Sequence, residues 1–292
     1  MDFGKVITAM VTPFDENLAV DFKAFENLIE HLIKTGTDTL LVTGTTGESP
    51  TVSDEEKLEL FRAAKSIAGK RAKVIAGTGS NCTRHSIELS QEAEKIGVDG
   101  ILLVSPYYNK PTQEGLYQHF KMIAESVDIP VILYNVPGRT AVTIEPETLA
   151  RLSEVKNIAA VKDAGGNLDK TSKTRVLAPN LTVYSGDDSL TLPMLSLGAK
   201  GVISVASHIV GDEIKEMIEA FERGDHRKAE EIHLDLFDLF KALFVITNPV
   251  PVKEALNMMG IKVGGFRPPL TPADEKTKKV LEGILKARGL IK

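Results

Sequence analysis

Apolar residues gather along this chain in eight short runs separated by amphipathic stretches. The runs are VITAMV (6–11), TLLVTG (39–44), KVIAGT (73–78), GILLVS (100–105), PVILYN (130–135), IAAVKD (158–163), LTVYSG (181–186) and GVISVA (201–206). Most are apolar at odd and even positions alike, as parallel strands covered on both faces require. Between them the period lengthens. In 21–36, Phe22, Phe25, Leu28, Ile29, Leu32 and Ile33 fall on one helical stripe, and Gly36 supplies a stop. Ser53 and Glu56 have the spacing of a capping box ahead of Leu60, Phe61 and Ala64. Thr83 opens a helix that stops at Gly97, and 113–127, 145–154, 167–178, 188–198 and 211–223 carry further helical patterns.

Eight alternating units over about 220 residues predict an α/β fold, a closed (β/α)8 TIM barrel. A doubly wound sheet is the alternative. It is disfavoured because the first strand leads into TPFDENLAVD, which holds no nucleotide-binding loop. Beyond residue 224 the strands cease. Residues 225–245, 250–259 and 272–287 read as helices, and GGFRPPLTP (264–272) is a turn-rich break among them. The expected organisation is a barrel over 1–224 and a three-helix domain over 225–292, a C-terminal helical appendix.

Composition narrows the class. The chain has 292 residues, 42% hydrophobic and 26% charged, which is globular and not disordered. Its net charge of −5 comes from 35 basic and 40 acidic side chains without a basic block, so nucleic acid is not the expected partner. The single cysteine, Cys82, excludes an internal disulfide framework and fits a reducing compartment. The N-terminal MDFGKVITAMVTPF lacks the pattern of a signal peptide, and no apolar run approaches the roughly 20 residues of a membrane helix. The expected location is the cytoplasm.

In a barrel of this kind, chemistry gathers at the carboxyl ends of the strands and in the loops that follow. Lys162 closes the sixth run. One reading is a strand-end lysine that snorkels or pairs with an acid. The other is an amine taken out of water and poised to attack carbonyls. The small neighbours Ala159, Ala160, Ala164, Gly165 and Gly166 leave room for a substrate. Tyr134 closes the fifth run. It is either a core aromatic or, facing the same mouth, a hydroxyl that carries protons for an imine-forming lysine. The GTTG loop (44–47) offers backbone N–H groups and two hydroxyls, which suit a small carboxylate, although βα turns of this composition also satisfy only themselves. Neither a P-loop nor a dinucleotide fingerprint is present, since Cys82 stands where a third glycine would belong. Arg139 reads as a solvated loop arginine or as a clamp for a substrate carboxylate. Tyr107 and Tyr108 lie in a Pro-flanked loop typical of surfaces that meet another subunit. The six histidines show no HxxH or HExxH spacing, so no metal is expected, and Asp187-Asp188 reads as a helix start.

GTTGES at 44–49, SPYYNKPTQEGLYQHF at 105–120, YNVPGRT at 134–140, VKDA at 161–164, SGDD at 185–188 and GVISV at 201–205 together resemble the dihydrodipicolinate synthase family, a branch of the pyruvate-dependent class I aldolases and lyases. The resemblance runs in order over essentially the whole chain. It implies a lyase that condenses pyruvate with L-aspartate 4-semialdehyde, the 4-hydroxy-tetrahydrodipicolinate synthase reaction of the diaminopimelate route to lysine. It further implies that Lys162 forms the Schiff base and Tyr134 is the proton donor and acceptor. Thr45 and Tyr108 would complete a proton relay, with Tyr108 contributed by, or locked against, a neighbouring subunit. Thr46 and the backbone near Ile203 would hold pyruvate, Arg139 the semialdehyde carboxylate, and Gly186 would join the substrate site. No metal or organic cofactor is implied, and the implied assembly is a homotetramer, a dimer of dimers. The sequence departs from the family at Asp163, where glutamate is commoner, and at the open Gly165-Gly166. Asn81, Ser49 and Tyr107 match positions lining the lysine site of feedback-inhibited members, but Asp54, Lys57 and His85 differ. A cationic Lys57 there predicts weak or absent inhibition by lysine. Sibling aldolases, of the N-acetylneuraminate lyase or 2-keto-3-deoxy-gluconate type, share the lysine, the tyrosine and the loop, and Arg139 is the discriminating residue. A catalytically inactive binding or regulatory barrel is the remaining alternative, disfavoured by the joint presence of Lys162, Tyr134, Thr45 and Tyr108.

Overall fold

The computed structural model describes residues 2–292. Its first half runs β1 (Val6–Ala9), α1 (Phe22–Lys34), β2 (Thr39–Val42), α2 (Asp54–Ala68), β3 (Lys73–Gly77), α3 (Thr83–Ile96), β4 (Gly100–Val104) and α4 (Gln113–Ala124). The second half continues with β5 (Val131–Asn135), α5 (Pro137–Thr140), α6 (Pro146–Leu152), β6 (Ile158–Asp163), α7 (Leu168–Leu177), β7 (Thr182–Ser185), α8 (Thr191–Ser196), β8 (Gly201–Ser204) and α9 (Ser207–Glu222). The strands are all parallel and close in sequence order, β8 pairing back onto β1 through Val6–Val202 and Thr8–Ser204. This is the (β/α)8 barrel the apolar runs predict.

The two-faced apolar strands now have a cause. Alternate residues point inward, so Ile7, Leu41, Ile75, Leu102, Ile132, Ala160 and Ile203 fill the barrel interior. Their neighbours Val6, Leu40, Val74, Ile101, Val131 and Val161 pack outward, in one core with Leu28, Phe61, Leu116 and other stripe residues of the helices. Each fully buried aliphatic side chain contributes about 1.5–3 kcal/mol. The helix starts follow their capping chemistry. Asp21 accepts from the Ala24 amide at 2.9 Å, and the Ser53–Glu56 box closes in both directions, at 3.3 and 2.9 Å. Gly97, at φ +86°, ends α3 in the left-handed region that favours glycine.

Some boundaries move. The first two strands stop two residues before the ends of their apolar runs, and Thr43 then turns into the left-handed region at φ +55°. The expected helix 188–198 divides into a 3-10 turn at Asp188–Leu190 and α8. The helix expected from 211 begins at Ser207, whose amide is received by Ser204 Oγ, and bends at Val210. Gly211 is not its start. It lies inside the helix because a Cβ there would stand 2.2 Å from the Thr35 carbonyl oxygen at the end of α1.

Three further helices follow: α10 (His226–Ala242), α11 (Val250–Met258) and α12 (Glu275–Ala287). α10 lies along α9, and α12 packs on α10 and α11. Between α11 and α12 the chain returns toward the barrel, where Phe14 N donates to the Val263 carbonyl. No helix among the described residues is long and apolar enough to cross a membrane.

Candidate active site

β5 and β6 pair in register, so Tyr134 and Lys162 stand side by side at their carboxyl ends. Lys162 is only 5% exposed, and its Nζ lies 4.3 Å from the centroid of the Tyr134 ring. It does not snorkel. Nor does the adjacent Asp163 pair with it, because that carboxylate faces the other way and accepts from Asn135 Nδ2, the Gly165 amide and Thr171 Oγ1. Strand alternation explains the split: Lys162 and Tyr134 share the inward face, and Asp163 takes the next position on the outer one.

A cavity of about 400 Å³ opens beside this pair, with Thr45, Tyr134 and Arg139 on its wall. Lys162 itself is not on the lining; its Nζ stands against the Tyr134 ring, which is. Thr46, Ile203, Gly186 and Tyr108 are not on its lining. Ile203 belongs to the same interior cluster as Tyr134, on β8. Gly186 follows β7, where a Cβ would stand 2.7 Å from that of Ala164, and its amide donates to the Asp163 carbonyl at 2.8 Å. Only glycine lets the two strand ends approach this closely. Thr46 is buried and receives Asn248 Nδ2 at 2.9 Å. Arg139, exposed on the short α5, donates from Nη2 to the Asn248 carbonyl at 3.2 Å. Tyr108 stands apart, 91% exposed and at φ +73°.

Asn248 was not singled out from sequence. It lies in TNPVPV, a Pro-rich stretch about 200 positions from the loop it touches. Asp187 is a helix start as expected, its side chain accepting from the Ser189 amide at 2.8 Å. Asp188, however, is buried and receives Ser204 Oγ and the Val205 and Ala206 amides. Burial pushes its carboxyl above the usual range against these hydrogen bonds. It fixes the β8–α9 turn just beyond Ile203.

The cavity extends away from Lys162 toward Ser49, Lys57, Asn81, His85 and Tyr107. At that end Asp54 bridges two side chains, Lys57 Nζ at 3.1 Å and His85 Nε2 at 2.6 Å. Burial alone would raise the Asp54 carboxyl, but hydrogen bonds from His85 and Lys57 hold it below its ordinary value. The three departures from the inhibited pattern thus form one cluster, in which the Lys57 charge is paired with Asp54.

A closed parallel barrel that carries a buried lysine, a tyrosine and a hydroxyl-rich glycine loop at the carboxyl ends of its strands has the architecture of a barrel enzyme. The chain belongs to the dihydrodipicolinate synthetase family, whose sequence profile matches residues 2–288. It is 53% identical over 292 residues to the 4-hydroxy-tetrahydrodipicolinate synthase of Desulforudis audaxviator, covering 100% of this chain and 99% of that one. Its fold superposes on the crystal structure of a dihydrodipicolinate synthase from Bacillus anthracis with a TM-score of 0.96, at 51% identity over 98% of this chain and 99% of the other. The lysine-bound enzyme of Cyanidioschyzon merolae gives a TM-score of 0.97 at 47% identity, with 99% of each chain covered.

Proposed function

We propose that this chain is a lyase that condenses pyruvate with L-aspartate 4-semialdehyde, the reaction of the 4-hydroxy-tetrahydrodipicolinate synthases. Full-length identity of 53% to a protein of that name supports the reaction. The observation that carries the chemistry is the buried Lys162 amine, 4.3 Å from the Tyr134 ring at the barrel mouth.

The neutral amine of Lys162 attacks the pyruvate ketone, and loss of water gives an imine. The protonated imine nitrogen is the electron sink, so a methyl proton leaves and an enamine forms without a metal or organic cofactor. The enamine carbon adds to the aldehyde of the second substrate. The semialdehyde's own amine then displaces Lys162 and closes the ring. Tyr134 supplies and removes the protons, relayed through Thr45 and Tyr108. Thr46 and the backbone at Ile203 hold the pyruvate carboxylate. Arg139 takes the carboxylate of the semialdehyde, which separates this reading from the sugar-acid aldolases, and Gly186 joins the substrate site.

Tyr108 completes the relay only where another copy of the chain covers its loop. Its exposure fits that arrangement, as does the apolar surface of Leu168, Val176, Leu177 and Leu234. The assembly that the family resemblance implies, and that we propose here, is a homotetramer, a dimer of dimers. Purified protein is expected to consume both substrates together, and borohydride with labelled pyruvate to leave a stable adduct on Lys162. An adduct on another side chain, or none, would reject the scheme.

A further inference from the structure

We propose that Lys253, on α11, is a positioning residue for the reaction: a buried ion pair with Glu48 ties the GTTGE loop (44–48) to the C-terminal helices and so sets where Thr45 and Thr46 present their hydroxyls. That role rests on the reading of the two threonines as relay and pyruvate-binding groups.

Glu48 immediately follows the glycine loop and is 3% exposed. Its backbone sits at φ +55°, a conformation that a non-glycine residue holds only when its surroundings impose it. Thr43, just before the loop, also lies at φ +55°, so the segment carrying Thr45 and Thr46 is strained on both sides. The constraint on the Glu48 side is visible. Glu48 Oε1 accepts from Lys253 Nζ at 2.8 Å, and Oε2 from the Arg267 amide at 3.1 Å. Lys253 is fully buried and spends its remaining donors on the carbonyls of Thr12, at 3.0 Å, and Gly265. The rings of Phe14 and Phe266 flank it, with centroids at 4.5 and 5.0 Å. Arg267 continues the tether. It forks onto Glu56 of α2 and donates to the carbonyls of Leu18 and Thr51.

Taking two ions out of water costs several kcal/mol each, and apolar residues of like volume commonly pack as stably. What the pair adds is direction. A carboxylate held at both oxygens resists rotation, and this opposes movement of the peptide that carries it out of the left-handed region. Burial lowers the Lys253 pKa, and the charge and hydrogen bond of Glu48 oppose that shift. The other loop residues are pinned in the same manner: Thr46 by Asn248, and the Gly47 carbonyl by Thr12 Oγ1 at 2.7 Å. Lys253 thus joins Thr12, Gly265 and Glu48 around one atom and ties α11 to the loop that carries Thr45 and Thr46.

The experiment compares full-length wild type with Lys253→Met, Glu48→Gln and the double variant. Each is measured for kcat, pyruvate KM, borohydride trapping at Lys162 and melting temperature. Either single change leaves a buried ion without its counter-ion, whereas the double variant leaves no unpaired ion. The expected result is a double variant that melts near wild type yet turns over about tenfold or more slowly, because small displacements of positioned groups are costly to rate. Pyruvate KM rises, and Lys162 is still trapped at saturating pyruvate. A folded double variant with unchanged kcat and KM overturns the proposal. If the double variant misfolds, Glu48→Gln decides: it keeps the side-chain shape and one acceptor, and undiminished kcat in it is equally fatal. Wild-type protein that fails to condense the two substrates overturns the proposed function and this role together. Wild-type turnover with unaffected variants removes the tether alone.

Discussion

Acid should weaken this protein through two histidines before its carboxylates titrate. His119, on α4, is 5% exposed, with Nδ1 against Thr83 Oγ1 and a buried Nε2 that has no partner. Burial lowers its pKa from 6.5 to about 4. His208 is fully buried and is also lowered to about 4 by burial, partly opposed by its hydrogen bond to the Val205 carbonyl. Its Nε2 accepts from the Val11 amide at 3.1 Å, an arrangement that an imidazolium cannot keep. The sign follows from linkage. The folded pKa lies below the unfolded one, so the unfolded chain binds more protons between these values and stability falls as pH falls. Integrated from about pH 7.5 to about pH 5, each histidine costs about 2 kcal/mol and the pair about 4 kcal/mol. Asp188 works in the opposite sense, since burial raises its pKa and protonation favours the folded state. The His119 share is isolated by comparison with His119→Gln. Urea unfolding of both proteins at the two pH values, at matched protein concentration, should show the variant losing about 2 kcal/mol less on acidification than wild type. Equal losses in the two proteins would refute the assignment of that acid sensitivity to a buried neutral imidazole.

Three further outcomes are expected. Tyr134→Phe keeps the ring and its burial, so it should fold normally and lose about 10²- to 10⁴-fold in kcat, and a loss of less than about tenfold would remove the hydroxyl from the proton path. Arg139→Gln should raise the semialdehyde KM while leaving pyruvate trapping at Lys162 unchanged, and steady-state kinetics with an unaltered semialdehyde KM would release Arg139 from its role. Added lysine should inhibit initial rates weakly or not at all. The Asp54 carboxylate is already paired with Lys57 and His85, so its charge is partly compensated before a ligand ammonium arrives, and strong inhibition at sub-millimolar lysine would refute this.

Much of the architecture is local and therefore legible along the chain. A parallel strand buried on two faces has to be apolar at every position, and a covering helix has to carry a stripe, so the alternation of units follows from burial alone. The capping box at Ser53 and the stop at Gly97 need no distant partner, and they fall where the pattern places them. Lys162 and Tyr134 could be placed at one mouth because each ends an adjacent run, and the strand register then sets them side by side. Where a distant contact outweighs local preference, the reading fails. Gly211 resembles a helix boundary, yet it lies within α9 because Thr35 leaves no room for a side chain. Four residues of α5 are too few to show a period.

The sequence alone determined the succession of strands and helices, the mouth at which reactive groups gather, and the family. Tertiary structure decided the rest. It paired Asp54 with Lys57 and His85, turned Asp163 away from the mouth and buried Asp188 beneath the β8–α9 turn. It also brought Asn248 and Lys253 onto a loop about 200 positions earlier in the chain. The physical reason is the same in each case. Hydrophobic periodicity records which face a residue buries, but the partner of a buried polar group is set by where the closed chain places another donor or acceptor. That pairing has no period to read.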